Sequence, residues 1–261
     1  MICEKILGKM VVVMCAYAAA GGMNVTAADN EALKSQLDVV SAAERQSNSE
    51  AAYRILFVGD SITRHGFNKN TEAKLGWGHL AGMAASAEVA DYAHQFAELM
   101  QQRFSDRKVE VYFHTSGGGG SAAERLSAID DVKPIAPHMV VIQLGEHEKQ
   151  ATGEEALRSN YAALLDEFLR QKPQPRILCT GVWSPGDGRK ASYTGWTARV
   201  ESIMKEECAK RNIPFASVEK YALDPACSGW GTSKGVQWHP NDKGHLGYAT
   251  ALMECCELLE K

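Results

Sequence analysis

From Tyr53 onward the chain alternates short apolar runs with stretches of helical periodicity, and this alternation leaves few folds open to it. The apolar runs are RILFVG (54–59), KVEVYFHT (108–115), HMVVIQLG (138–145), RILCTGVW (176–183) and IPFASV (213–218). Runs that stay apolar at successive positions bury both faces of a strand, as happens in a parallel sheet covered by helices. Helical patterns fill the gaps at 89–104, 122–130, 153–172, 197–212 and 243–260. The predicted fold is therefore α/β, a mostly parallel five-stranded sheet with helices on both faces. In such open sheets ligands bind outside the carboxyl ends of the strands.

The chain ahead of Tyr53 has a different character. Residues 1–28 read as a signal peptide, with Lys5 and Lys9 before the apolar MVVVMCAYAAAGGM and small residues, VTA, before Ala28. The apolar run is shorter than the roughly 20 residues of a spanning helix, and Gly21 and Gly22 interrupt it. Export is expected, to the periplasm or the extracellular space, with cleavage near Ala27 or Ala28 and no stable membrane insertion afterwards. Residues 29–52 are polar and rich in Ser, Ala and Glu, so they read as a linker or a loosely attached helix, and 53–261 read as one domain. The net charge of −4 comes from interspersed residues of both signs, which argues against a nucleic-acid partner and for a neutral or weakly charged small substrate. Five cysteines follow the signal segment, at 179, 208, 227, 255 and 256. The odd count leaves at least one thiol free, and none stands in a C-x-x-C pair.

The residues after the predicted strands carry the chemistry. Gly59-Asp60-Ser61 follows the first, Ser116 and the run Gly117 to Gly120 the second, and Gly145-Glu146-His147-Glu148 the third; WHPNDKGH, with His239 and His245, lies near the C-terminus. Serine, glycine-rich backbone donors, a polar side-chain donor and a histidine are the parts required for acyl transfer, because a serine hydroxyl needs a base and a tetrahedral oxyanion needs fixed donors. Taken alone, Asp60 and Ser61 would serve equally as helix caps. The glycine run lacks the Lys-Ser/Thr of a phosphate loop, and Ala151 stands where the second histidine of H-E-x-x-H would be, so neither a nucleotide cofactor nor a metal is expected. His65, His79, His94 and His245 read as packing or surface residues, and each of Trp77, Trp183 and Trp238 as either core or pocket wall.

GDSIT after a strand and HPNDKGH near the C-terminus, in that order, resemble the SGNH (GDSL-type) hydrolases, serine esterases and acylhydrolases of flavodoxin-like three-layer fold. The resemblance runs from Gly59 to about Leu252. It implies that Ser61 is the nucleophile, with its own N–H in the oxyanion hole, and that His239 is the general base. TSGGGG then puts Gly117 at the second oxyanion donor, and GEHE puts His147 where the family carries an asparagine as the third. A larger departure is Val236 in VQWH, at the place of the family's aspartate three residues before the histidine. The His239 proton is left either to a backbone carbonyl of the 234–237 loop, which would make a Ser-His dyad, or to a carboxylate from another loop such as Glu148; the dyad is the preferred expectation. The implied function is an exported serine ester hydrolase removing acetyl or other short acyl groups, with the tryptophans pointing to carbohydrate. The rivals are a lipase or thioesterase of the same family and a non-catalytic glycan-binding protein. Against the former, the short loop expected between Ser61 and Trp77, carrying Arg64, His65, Asn68, Lys69 and Asn70, is too polar to line an acyl groove.

Overall fold

The computed structural model describes residue 36 and residues 52–104, 106–115, 120–185 and 193–258. The predicted signal peptide, all of the predicted linker except Gln36 and Ala52, and Gly117 lie outside these residues. Five strands, β1 (Tyr53–Val58), β2 (Val109–His114), β3 (Met139–Ile142), β4 (Arg176–Thr180) and β5 (Phe215–Ala216), form one sheet in the order β2-β1-β3-β4-β5. Every pairing is parallel, from Tyr53 opposite Val109 to Thr180 opposite Ala216. The last strand is only two residues long, because as an edge strand it pairs with Cys179 and Thr180 alone.

Successive side chains of a strand point to opposite faces, and the two cores divide accordingly. Leu56, Val58, Val140, Ile142, Ile177 and Cys179 face α3 (Ala122–Ser127), α4 (Glu154–Leu169) and α5 (Gly195–Ala209). Ile55, Phe57, Met139, Val141 and Leu178 face α2 (Tyr92–Arg103) and α8 (Asp242–Leu258). None of the described helices is long and apolar enough to cross a membrane. The chain runs from β1 to β2 on one side and crosses to β3 on the other, so the topological switch point lies between the carboxyl ends of β1 and β3, where a crevice opens.

Two sequence expectations are corrected after β1. The segment before Trp77, read as a loop, contains α1 (Lys69–Leu75). Asn68 caps it by accepting from the Asn70 and Thr71 N–H groups, Thr71 Oγ1 accepts from Asn68 N in return, and Gly76 closes it at φ +67°. The helix buries no residue, so it has no apolar stripe for a periodicity to reveal. Arg64, expected among the polar groups of this segment, is buried. Its guanidinium lies 4.3 Å above the Phe113 ring and donates to the Gln36 carbonyl at 3.0 Å. Gln36 Oε1 accepts in turn from Phe67 N at 3.0 Å, which ties this residue of the predicted linker to the segment after Ser61.

Candidate active site

Ser61 sits in a turn at the end of β1. Asp60 Oδ1 accepts from Ile62 N at 2.9 Å, and the Thr63 and Arg64 N–H groups return to the Asp60 carbonyl. The approach is tight: a Cβ on Gly59 would meet Thr63 Oγ1 at 1.9 Å. Gln143, the polar residue that follows β3, fixes the turn from the neighbouring strand, its Oε1 accepting from Thr63 Oγ1 at 2.8 Å and Asp60 N at 3.4 Å. Gln143 Nε2 donates to Glu146 at 2.9 Å, and the other Glu146 oxygen accepts from Trp183 N at 2.6 Å. Trp183 Nε1 then donates to the Trp238 carbonyl at 2.7 Å, so one chain of bonds joins the serine turn, the segment after β3 and the histidine segment.

His239 is presented by α7 (Lys234–Trp238), in the stretch expected to be a loop. Asn241 anchors that stretch by donating to the Ala226 and Ser228 carbonyls at 2.9 and 2.7 Å. The His239 ring, 8% exposed, places Nε2 2.8 Å from Ser61 Oγ and Nδ1 2.6 Å from the Gly235 carbonyl. A carbonyl only accepts, so the proton is on Nδ1 and Nε2 is free to accept the serine proton. Burial drives the His239 pKa down to about 4, against the opposing pull of the Gly235 carbonyl. Val236 turns away into a separate apolar cluster with Trp77, Ala81 and Ala84 and is fully buried. Glu148 accepts from Ala122 N at 2.7 Å and takes no part at His239.

The remaining predicted residues fall on both sides of this pair. Gly120, the described end of the glycine run, is wedged between Asp60 and His147, where a Cβ would meet Asp60 Cβ at 2.4 Å and His147 Cδ2 at 2.8 Å. His147 is half exposed, with Nε2 3.9 Å from the buried Asp60 Oδ2, an oxygen that no hydrogen bond reaches among the described residues. Burial raises the pKa of Asp60 against the charge of His147, and burial together with Asp60 pushes Glu146 well above the usual carboxylate range. His245 packs inside, its Nδ1 accepting from Tyr92 N and its Nε2 meeting the Met83 carbonyl. Trp77 and Trp183 are core residues, whereas Trp238 is 36% exposed beside His239. Sequence reasoning passed over Gln143 and the 41% exposed Trp230, gave Glu146 no role, and named Gly235 only as one of the four residues 234–237. Of these only Gln143 left a signal, a polar residue inside an apolar run.

The model of the GDSL-like Lipase/Acylhydrolase family matches residues 57–246. The chain belongs to this family. It is accordingly a hydrolase acting on ester bonds. No protein of curated function matches it. Among solved structures it is similar to LAE5, an alpha/beta hydrolase enzyme from the metagenome of Lake Arreo, Spain, with a TM-score of 0.56 and 18% identity over 80% of this chain and 97% of that one. It is also similar to Axe2, an acetylxylan esterase from Geobacillus stearothermophilus solved as a catalytic serine-to-alanine mutant, at 0.55 and 18% over 77% and 93%. A two-domain esterase active on acetylated mannans matches at 0.57 and 17% over 80% of this chain and 50% of that one. At these identities the likeness is one of fold, and it agrees with the all-parallel sheet of the GDSL-family chain described above.

Proposed function

We propose that this GDSL-family protein is an exported serine esterase that removes acetyl or other short acyl groups from carbohydrate. The observation that carries the mechanism is the 2.8 Å contact between Ser61 Oγ and the acceptor nitrogen of His239, with the opposite nitrogen held by the Gly235 carbonyl. Ser61 Oγ attacks the ester carbonyl while its proton passes to Nε2, and the imidazolium is stabilised by Nδ1–H on the Gly235 oxygen in place of an aspartate. The Ser61 and Gly117 N–H groups and His147 serve as oxyanion donors. The proton then goes to the leaving alcohol, and water, deprotonated by His239, resolves the acyl-enzyme. Carbohydrate is favoured by the indoles of Trp238 and Trp230 exposed on the histidine side and by the acetylated polysaccharides named for two fold neighbours. Export rests on the character of residues 1–28, with a processed form confined to the periplasm or the extracellular space.

The pH profile of kcat/KM on a short-chain nitrophenyl ester tests this proton path. Protonated His239 has no lone pair for the Ser61 proton, so activity is lost as pH falls, and the low value of about 4 places that loss well below neutrality. An acidic limb centred on the ordinary histidine value of about 6.5 would contradict the buried, carbonyl-held base. His147→Asn retains activity, because an amide N–H donates to the oxyanion as an imidazole N–H does. Loss by orders of magnitude in that variant would assign His147 another role.

A further inference from the structure

Beside His147 lies a cavity of about 320 Å³, not lined by His239, that the reaction scheme leaves unused. It opens between the start of α3, the segment after β3 and α4, and its lining side chains are polar apart from the Ala123 methyl. We propose that this cavity is the subsite for a neutral sugar ring of the ester substrate, a reading that rests on the carbohydrate esterase function above.

The lining has the acceptor and donor arrangement that a polyol requires. Glu124 is locked by Oε2, which accepts from Ser121 N at 3.0 Å and Ser121 Oγ at 2.6 Å; Glu148 is locked by Oε1 on Ala122 N at 2.7 Å. Each carboxylate therefore has a fixed direction and a second oxygen to spare. The Lys149 ammonium, the Thr152 hydroxyl and the Asn160 amide, which also line the cavity, form no side-chain hydrogen bond among the described residues. Every sugar hydroxyl both donates and accepts, so fixed acceptors and uncommitted donors in one cavity suit a ring bearing several of them. The volume stands at the lower end of the roughly 300–1,000 Å³ of small-ligand sites, enough for a ring and not for a long acyl chain. With two carboxylates against one ammonium, the lining disfavours a uronate. His147 belongs both to this wall and to the contact with Asp60, the residue before Ser61, so a ring seated here is next to the candidate oxyanion site.

The full chain is assayed on acetylated methyl xyloside and on nitrophenyl acetate, and the ratio of the two kcat/KM values is compared between the parent and the Lys149→Ala and Asn160→Ala variants. Losing a hydrogen bond to the sugar alone lowers that ratio about tenfold, mainly through KM, and an acetylated methyl glucuronide is a poorer substrate than the xyloside. An unchanged ratio in both variants, or preference for the glucuronide, overturns the subsite while leaving the esterase reading intact. Absence of hydrolysis on all esters instead defeats the esterase reading. The subsite is then judged by calorimetric titration with xylotriose: binding weakened by Asn160→Ala supports it, and no binding by the parent refutes it.

Discussion

Ser61→Ala lowers kcat/KM for a short-chain nitrophenyl ester by on the order of 10⁴-fold or more, the scale seen when the nucleophile of a serine hydrolase is removed. The thermal midpoint barely changes, because the Ser61 hydroxyl makes its side-chain bond to His239 Nε2 alone. The turn itself is held by Asp60 and Gln143, which the substitution does not touch. His239→Ala gives a loss of similar size, and the double variant is little worse than either, since nucleophile and base act as one unit. Activity on any acyl ester that survives Ser61→Ala would remove the serine from the mechanism.

The second large effect is one of stability, at the position where the family carries its aspartate. Val236→Asp restores that residue at its usual place in the sequence, yet the Val236 side chain is fully buried against Trp77, Ala81 and Ala84. A carboxylate there has no partner and displaces apolar packing, at a cost of about 3–5 kcal/mol out of the roughly 5–15 kcal/mol that holds a domain folded. The expected outcome is a fall in the thermal midpoint of on the order of 10 °C and no gain in kcat/KM. A stable variant with raised kcat/KM would show that position 236 faces His239, and the carbonyl-held base would be wrong. The same packing makes Gly229 irreplaceable by residues with a side chain, because a Cβ there would lie 1.9 Å from the Val236 carbonyl.

The sheet was legible because strands buried on both faces leave unbroken apolar runs, which periodicity detects without tertiary information. Its helices were legible to within a few residues for the same reason. α1, α6 (Glu219–Ala222) and α7 were not, since a seven-residue helix with no buried residue and helices of four and five residues leave no stripe. At the site, Ser61 and His239 were found through their flanking residues. Their support was hidden because it is made of contacts far apart in sequence. Gln143 reaches back 80 residues to Thr63, and Trp183 spans 55 to Trp238. The acceptor at His239 is a backbone carbonyl, a group every residue has, so no residue type at Gly235 announces it. The sequence narrowed that acceptor to the 234–237 stretch, and the geometry selects Gly235 within it.

The central claim, that His239 activates Ser61 with only a backbone carbonyl behind it, is tested most directly by covalent labelling. A fluorophosphonate loses fluoride when an activated serine oxygen attacks its phosphorus, leaving a stable adduct that peptide mass spectrometry locates. The account predicts modification of Ser61 in the parent, at a rate that falls with acid near pH 4, and none at Ser61 in His239→Ala. Labelling of another residue, or of Ser61 equally fast without His239, would contradict it.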